Sequence, residues 1–382
     1  MAPTPPPPSP ARDKSEGHAA RVSRQRQAQR WLQPARIRRL ISWTVGLTAL
    51  WIGWTLSQTG GWSALADVPW DGTWLGVAMG LAVIRDLGYV WRLHVLSEGI
   101  MGVRRTISGI LLWELSSALT PSVVGGSAVA TFILHRNGLN WGRSLATVMA
   151  TALLDELFFL TAVPIVAVAV GWGAFLPTSA SWIEGSIPVI FGGGVAFMAS
   201  LAVLLSLALF WAPGSTRRAL LHLATWPWIS RWAETIEAFA EDLNTASHGL
   251  RGMPWTTWCA AACATALSWT ARFLTLNAVV LAFVAPALSW TEVSQFDVWA
   301  RQLSLWTVML ISPTPGSAGL AELALPTFLS GVLPLVLAPA AWTALVLAWR
   351  LLTYHLYVLL GAMTLPVWLK QTGAPSRTFR NP

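Results

Sequence analysis

The chain of 382 residues is 54% apolar and only 11% charged, with a mean hydropathy of +0.54. So few charges cannot coat a soluble globule of this size, which excludes the soluble domain classes and points to an all-α polytopic membrane protein. The formal charge of +8 does not imply nucleic acid. Nine basic residues lie between Arg12 and Arg39 and, against Asp13 and Glu16, leave +7 ahead of the first apolar run. There they set orientation and touch anionic lipid.

Residues 1–36, opening on a proline run, have nothing to bury and are expected to form a disordered Pro/Arg-rich cytoplasmic tail. Its basic stretch is too long for a signal peptide. With about 20 mostly apolar residues per spanning helix, the first predicted span is 40–57. It leaves the cytoplasm, since the next loop carries Asp67 and Asp71 and no basic residue. The second span, 73–93, returns the chain to Arg104 and Arg105. The run 106–119 is too short to cross before Thr120-Pro121-Ser122-Val123-Val124-Gly125-Gly126 interrupts it, and the next apolar stretch ends near His135, Arg136 and Arg143. Basic residues at both ends make 106–134 a hairpin re-entering from the cytoplasm.

The third span is 144–170, and the fourth, 187–212, comes back to Arg217 and Arg218. Over 228–250, Trp232, Ile236, Phe239 and Leu243 recur at helical spacing opposite Glu234, Glu237, Glu241 and Asp242. This predicts a cytoplasmic amphipathic helix lying on the membrane or on the protein. A span over 255–284 carries Cys259 and Cys263 on one face, read as small packing residues because a lone pair makes a poor metal site. The run 298–311 breaks at Ser312-Pro313-Thr314-Pro315-Gly316-Ser317-Ala318-Gly319-Leu320-Ala321-Glu322 and resumes to 333. Proline lacks the backbone donor and glycine raises the entropic cost, so no helix continues there. The last span, 340–365, delivers residues 367–382 to the cytoplasm.

Each half, 37–172 and 186–366, thus contributes three spans and one hairpin in the same order, begun from opposite sides. The result is six spans and two oppositely oriented re-entrant hairpins, an inverted repeat whose broken helices meet near the midplane. A plain bundle of up to ten helices is the alternative. Of the 25 tryptophans, Trp70, Trp74, Trp172, Trp182, Trp211, Trp255 and Trp290 fall near span ends and read as interfacial belts.

Ionisable residues inside spans cost at least about 2.5–3.5 kcal/mol each on insertion scales, so each calls for a reason. They are Arg85, Asp86, Glu114, Asp155 and Glu156 in the first half and Arg272, Arg301, Glu322 and Arg350 in the second. Near balance suggests internal ion pairs. Arg85 and Asp86 point about 100° apart on a helix, so each seeks another partner. The functional reading gives a lipid headgroup to Arg272, Arg350 and Arg85, because arginine's fork suits phosphate, with the backbone at Gly316 and Gly319 opening a helix N-terminus toward an anion. Glu322, Asp155 and Glu156 would pair or relay charge, and Glu322 could equally cap its helix. The break motifs are Pro121, Gly125, Gly126, Pro313 and Pro315. No catalytic, cofactor or metal motif is found.

Pro313-Thr-Pro-Gly-Ser-Ala-Gly-Leu-Ala-Glu322, followed by a span with Arg350, resembles the signature of the lysylphosphatidylglycerol synthase transmembrane, or flippase-like, family. Leu119-Thr-Pro-Ser-Val-Val-Gly-Gly126 resembles that family's first break. Gly316-Ser317 replaces a glycine pair, and Ala130 and Ala152 stand near places where the family often carries arginine. The resemblance covers about residues 37–366 and implies a lipid-translocating domain without the aminoacyl transferase, for which residues 367–382 leave no room. The expected function is plasma-membrane translocation of a phosphate-bearing lipid, an anionic phospholipid or a polyprenyl phosphate. The competing expectations are a membrane-embedded lipid-modifying enzyme and a scaffold for a separate lipid synthase.

Overall fold

The computed structural model describes residues 62–120, 123–177, 186–310, 312, 314–333 and 337–373, with a few positions before Trp62. Most of the predicted first span, the 1–36 tail, Pro121, Trp182, Pro313 and the end of the C-terminal tail lie outside the described residues. Those described are helical throughout, without strands. The long elements are α1 (Gly72–Leu96), α2 (Gly102–Leu119), α3 (Val123–Arg136), α4 (Trp141–Val170), α5 (Ser186–Trp211), α6 (Pro213–Ala224) and α7 (Ala233–Arg251). They continue with α8 (Trp255–Val284), α9 (Gln295–Met309), α10 (Leu320–Leu329), α11 (Pro339–Arg350) and α12 (Leu356–Gly373).

Among the described residues, α1, α4, α5, α8 and the joined α11–α12 are long and apolar enough to cross a membrane. The protein is integral to a membrane. α3, α9 and α10, at 14, 15 and 10 residues, fall short of the roughly 20 that a crossing needs. α2 starts at Gly102, four residues before the predicted run, and reaches 18 residues.

α1 and α8 form the closest pair, because a glycine lets their backbones meet. A Cβ at Gly88 would fall 2.2 Å from Ser268 Oγ, whose hydroxyl donates to the Arg85 carbonyl at 3.2 Å. The largest apolar core lies where α4, α5, α8, α9, α10 and α11 converge, around Phe159, Met198, Phe273, Leu303, Phe328 and Leu345. A second core sets α12 residues Val358, Leu365 and Trp368 against Leu112, Leu115 and Phe132 of the α2–α3 pair. The last helix is therefore packed on the α2–α3 pair. α11 and α12 are joined by a widened turn, Leu351–His355, of the kind that is frequent at functional sites.

The amphipathic helix exists as α7, and it lies on the protein. Its buried stripe is Ala240, Leu243, Ala246 and Leu250, packed against Ala146, Ala150 and Leu154 of α4 and Leu96 of α1. Trp232 and Phe239, expected on that stripe, are 48% and 37% exposed. Small alanines permit the close approach to α4 that large rings would block. The cysteine expectation is corrected as well, since Cys259 and Cys263 lie exposed on the outer side of α8. Between α8 and α9, Glu292 accepts from the Ser289 hydroxyl at 2.6 Å and its backbone N–H at 2.7 Å, which holds the Glu292 carboxyl below the usual range.

Candidate functional site at the two helix breaks

The two breaks face one cavity of about 350 Å³. Thr120 and Ser127 border it from the first break and Ser312, Thr314, Gly316 and Ser317 from the second. Arg92, Glu114, Asp155, Glu156, Arg272 and Arg350 supply its charges, and Trp269, Trp306, Tyr354 and Tyr357 are among its rings. Arg85, Gly319 and Glu322 are not on this wall.

The second break is held by its own side chains. Thr314 Oγ1 donates to the Ala318 carbonyl at 2.9 Å, and Ser317 Oγ to the Met309 carbonyl at 3.3 Å. α10 then begins with the Gly319 N–H donating to Glu322 Oε2 at 2.7 Å. The other Glu322 oxygen pairs with Arg350 Nε at 2.9 Å, so this carboxylate caps the helix and neutralises a cation at once. Both Arg350 terminal nitrogens donate to the Gly316 carbonyl at 3.2 Å. Arg350 and Glu322 are buried, and all three guanidinium nitrogens are engaged in tying α11 to the break.

Tyr354, one turn on, reaches both breaks. Its hydroxyl donates to the Ala118 carbonyl at 3.0 Å, at the end of α2. Its ring fills the space over Gly316, where a Cβ would come within 2.0 Å. Gly316 also has φ +57°, a region side chains avoid. Gly316→Ala is expected to destabilise by at least about 1–3 kcal/mol, combining strain with overpacking. Gly319→Ala, at φ +87° with nothing within 4 Å of its Cβ, should lose less. Thermal unfolding in detergent checks the order, and a loss at Gly319 as large as that at Gly316 would show that backbone strain, harsher at φ +87° and ψ −53°, outweighs the Tyr354 contact.

Most of the remaining charges are paired. Arg85 Nη2 lies 2.7 Å from Glu114 Oε1 and only 3.9 Å, through Nε, from Asp86, which accepts from the Tyr357 hydroxyl at 3.0 Å. The Arg85 guanidinium also lies 4.2 Å from the Tyr357 ring centre. Asp155 Oδ1 accepts from Arg92 Nη1 at 2.5 Å and from the Trp269 indole at 2.7 Å. Arg301 donates to the Gly173 carbonyl at 3.2 Å. Two cavity groups stand apart. Arg272, half-buried, has no carboxylate within 4.0 Å among the described residues, and its guanidinium sits 4.5 Å from the Trp306 ring centre and 5.2 Å from that of Trp269. Glu156 is 7% exposed, and its Oε2 has no hydrogen-bond partner among the described residues.

Sequence reasoning passed over Arg92, although Arg85, Tyr89 and Arg92 follow i, i+4, i+7 spacing and so share a face of α1. It also missed Trp269 and Trp306, because indoles inside apolar runs carry no periodic signal of their own.

Residues 39–361 match the family described as the lysylphosphatidylglycerol synthase TM region. The chain belongs to this family. A UPF0104 membrane protein of Archaeoglobus fulgidus is 26% identical over 341 residues, which cover 84% of this chain and 93% of that relative. No solved structure matches the chain. In this lysylphosphatidylglycerol synthase TM-region protein, both break motifs lie inside the matched range, and so does every charged residue of the cavity.

Proposed function

We propose that this family member moves a phosphate-bearing lipid between the leaflets of the plasma membrane, its headgroup passing through the cavity at the two breaks. The observation that carries the reading is Arg272, a cavity arginine with no carboxylate partner among the described residues, in a wall that also holds the hydroxyls of Thr120, Ser312 and Thr314. A guanidinium with no carboxylate in contact, its charge shared with Glu114 and Asp86 only at longer range, is set to receive an anion from outside. The paired arginines, Arg85, Arg92 and Arg350, then shape the wall, while Glu156 adjusts the charge that the headgroup meets.

The inverted repeat belongs to the same reading. α1 and α8 occupy the same place in the two halves and pack most closely, and each half contributes one break to the cavity. Rocking of the halves about the α1–α8 pair would expose the cavity to each leaflet in turn. The matched region is the TM region of its family, in keeping with a non-catalytic role.

The test uses purified protein in liposomes with fluorescent phosphatidylglycerol, aminoacyl-phosphatidylglycerol and polyprenyl-phosphate probes, read by leaflet-selective quenching. Protein-dependent movement of one probe is expected and names the headgroup class. Folded protein that moves none of them overturns the proposal, and conversion of a probe to a new lipid species would replace it with an enzymatic reading.

A further inference from the structure

The corner between α6 and α7, Trp226-Pro227-Trp228, is firmly built. The N–H groups of Ile229 and Ser230 both donate to the Trp226 carbonyl, at 2.9 and 2.8 Å, and the Ser230 hydroxyl donates to the Pro227 carbonyl at 3.0 Å. The corner holds Trp228 at 87% and Trp226 at 52% exposure. These rings take no part in seating the α6–α7 pair, since α7 uses its buried stripe against α4 and α1 for that. Two adjacent indoles held outward on a rigid turn call for an apolar partner with a polar edge.

Chain continuity and charge identify that partner. α6 starts two residues after Trp211, an 80% exposed ring ending α5, and α7 ends four residues before Trp255, a 73% exposed ring opening α8. Those two rings mark where the spans leave the apolar layer. Exposed Arg218 and His222 on α6 lie on the approach to the corner, whereas the exposed carboxylates Glu234 and Glu237 lie on α7, beyond it. Arg217 is tied to Glu241, which fixes α6 along α7.

We propose that the Trp226–Trp228 corner docks into the headgroup layer of the bilayer, on the side where α5 ends and α8 begins. α7 then rests on the protein while the corner anchors the pair to lipid. Indoles favour this layer, and neighbouring cations favour anionic lipid within it.

The experiment places an environment-sensitive fluorophore at Trp228→Cys in a full chain carrying Cys259→Ser and Cys263→Ser, reconstituted in phosphatidylcholine/phosphatidylglycerol vesicles. Thr225→Cys serves as a second site with both tryptophans intact, and Glu237→Cys on α7 as the water-facing comparison. Headgroup-attached nitroxide lipids should quench the corner labels at least twofold more than the Glu237 label, and aqueous iodide should quench them less. Equal iodide quenching at all three sites, with no nitroxide effect, would overturn the proposal in favour of a water-facing corner. Corner labels shielded from both quenchers would overturn it in favour of a protein partner or a second copy of the chain.

Discussion

Replacing Arg350 with alanine is expected to destabilise the protein by about 3–5 kcal/mol, the usual result of removing one partner of a buried ion pair. Glu322 would stay buried without a cation, and the Gly316 carbonyl would lose both of its donors. Arg350→Lys should recover only part of the loss, because one ammonium cannot serve the carboxylate and the carbonyl with the fixed fork that arginine offers. Glu322→Gln keeps an acceptor for the Gly319 N–H and removes the charge, so Arg350→Met with Glu322→Gln should unfold at a higher temperature than Arg350→Met alone. A double-mutant cycle on detergent-purified protein measures this coupling. Coupling indistinguishable from zero would mean that the pair does not stabilise the break, and would return Arg350 to the headgroup role that its place in the sequence suggested.

Arg272→Gln should have the opposite profile. The side chain breaks no close ion pair when it is removed and loses its contacts over Trp269 and Trp306 and a longer-range attraction to Glu114 and Asp86, so stability should fall by about 1 kcal/mol. If the guanidinium holds the headgroup anion, the loss of charge-assisted bonds worth about 1.5–3 kcal/mol should weaken apparent probe affinity about tenfold to hundredfold. Titrating the transported probe in the liposome assay reads the shift. Arg272→Lys, which keeps a charge without the planar fork, should fall between. Unchanged transport would remove Arg272 from the path. A loss of stability as large as that of Arg350→Ala would make it structural.

Much of the architecture was legible because the bilayer imposes local rules. A span must be apolar along its whole length, so the run over 255–284 appears in the structure as α8, Trp255–Val284. The breaks were legible for a covalent reason. Pro315 brings no backbone N–H, and Gly316 and Gly319 take the positive φ values that the turn between α9 and α10 requires. The first break was placed less well, since Gly125 and Gly126, expected to form it, lie within α3 and the interruption falls between Leu119 and Val123. The helix that follows tolerates the glycine pair. Most of the intramembrane charges were singled out, though not Arg92.

Which charges are free was decided elsewhere. Arg272 and Arg350 look alike in the sequence, each a lone arginine in an apolar run, yet Arg350 is locked to Glu322 while Arg272 faces the cavity with no carboxylate in contact. That difference depends on which helix lies opposite, a matter of long-range packing that no periodicity encodes. α7 repeats the lesson, since its apolar stripe follows from its pattern but the choice of Ala240 and Leu243 over Trp232 and Phe239 follows from how closely α4 approaches. The sequence by itself determined the membrane, the five helices among the described residues that are long and apolar enough to cross it, and the break between α9 and α10, because those are properties of single segments in lipid. Only the tertiary structure decided the ion pairs and the open arginine, because an ion pair is a property of two segments and its energy falls steeply with their separation in the fold.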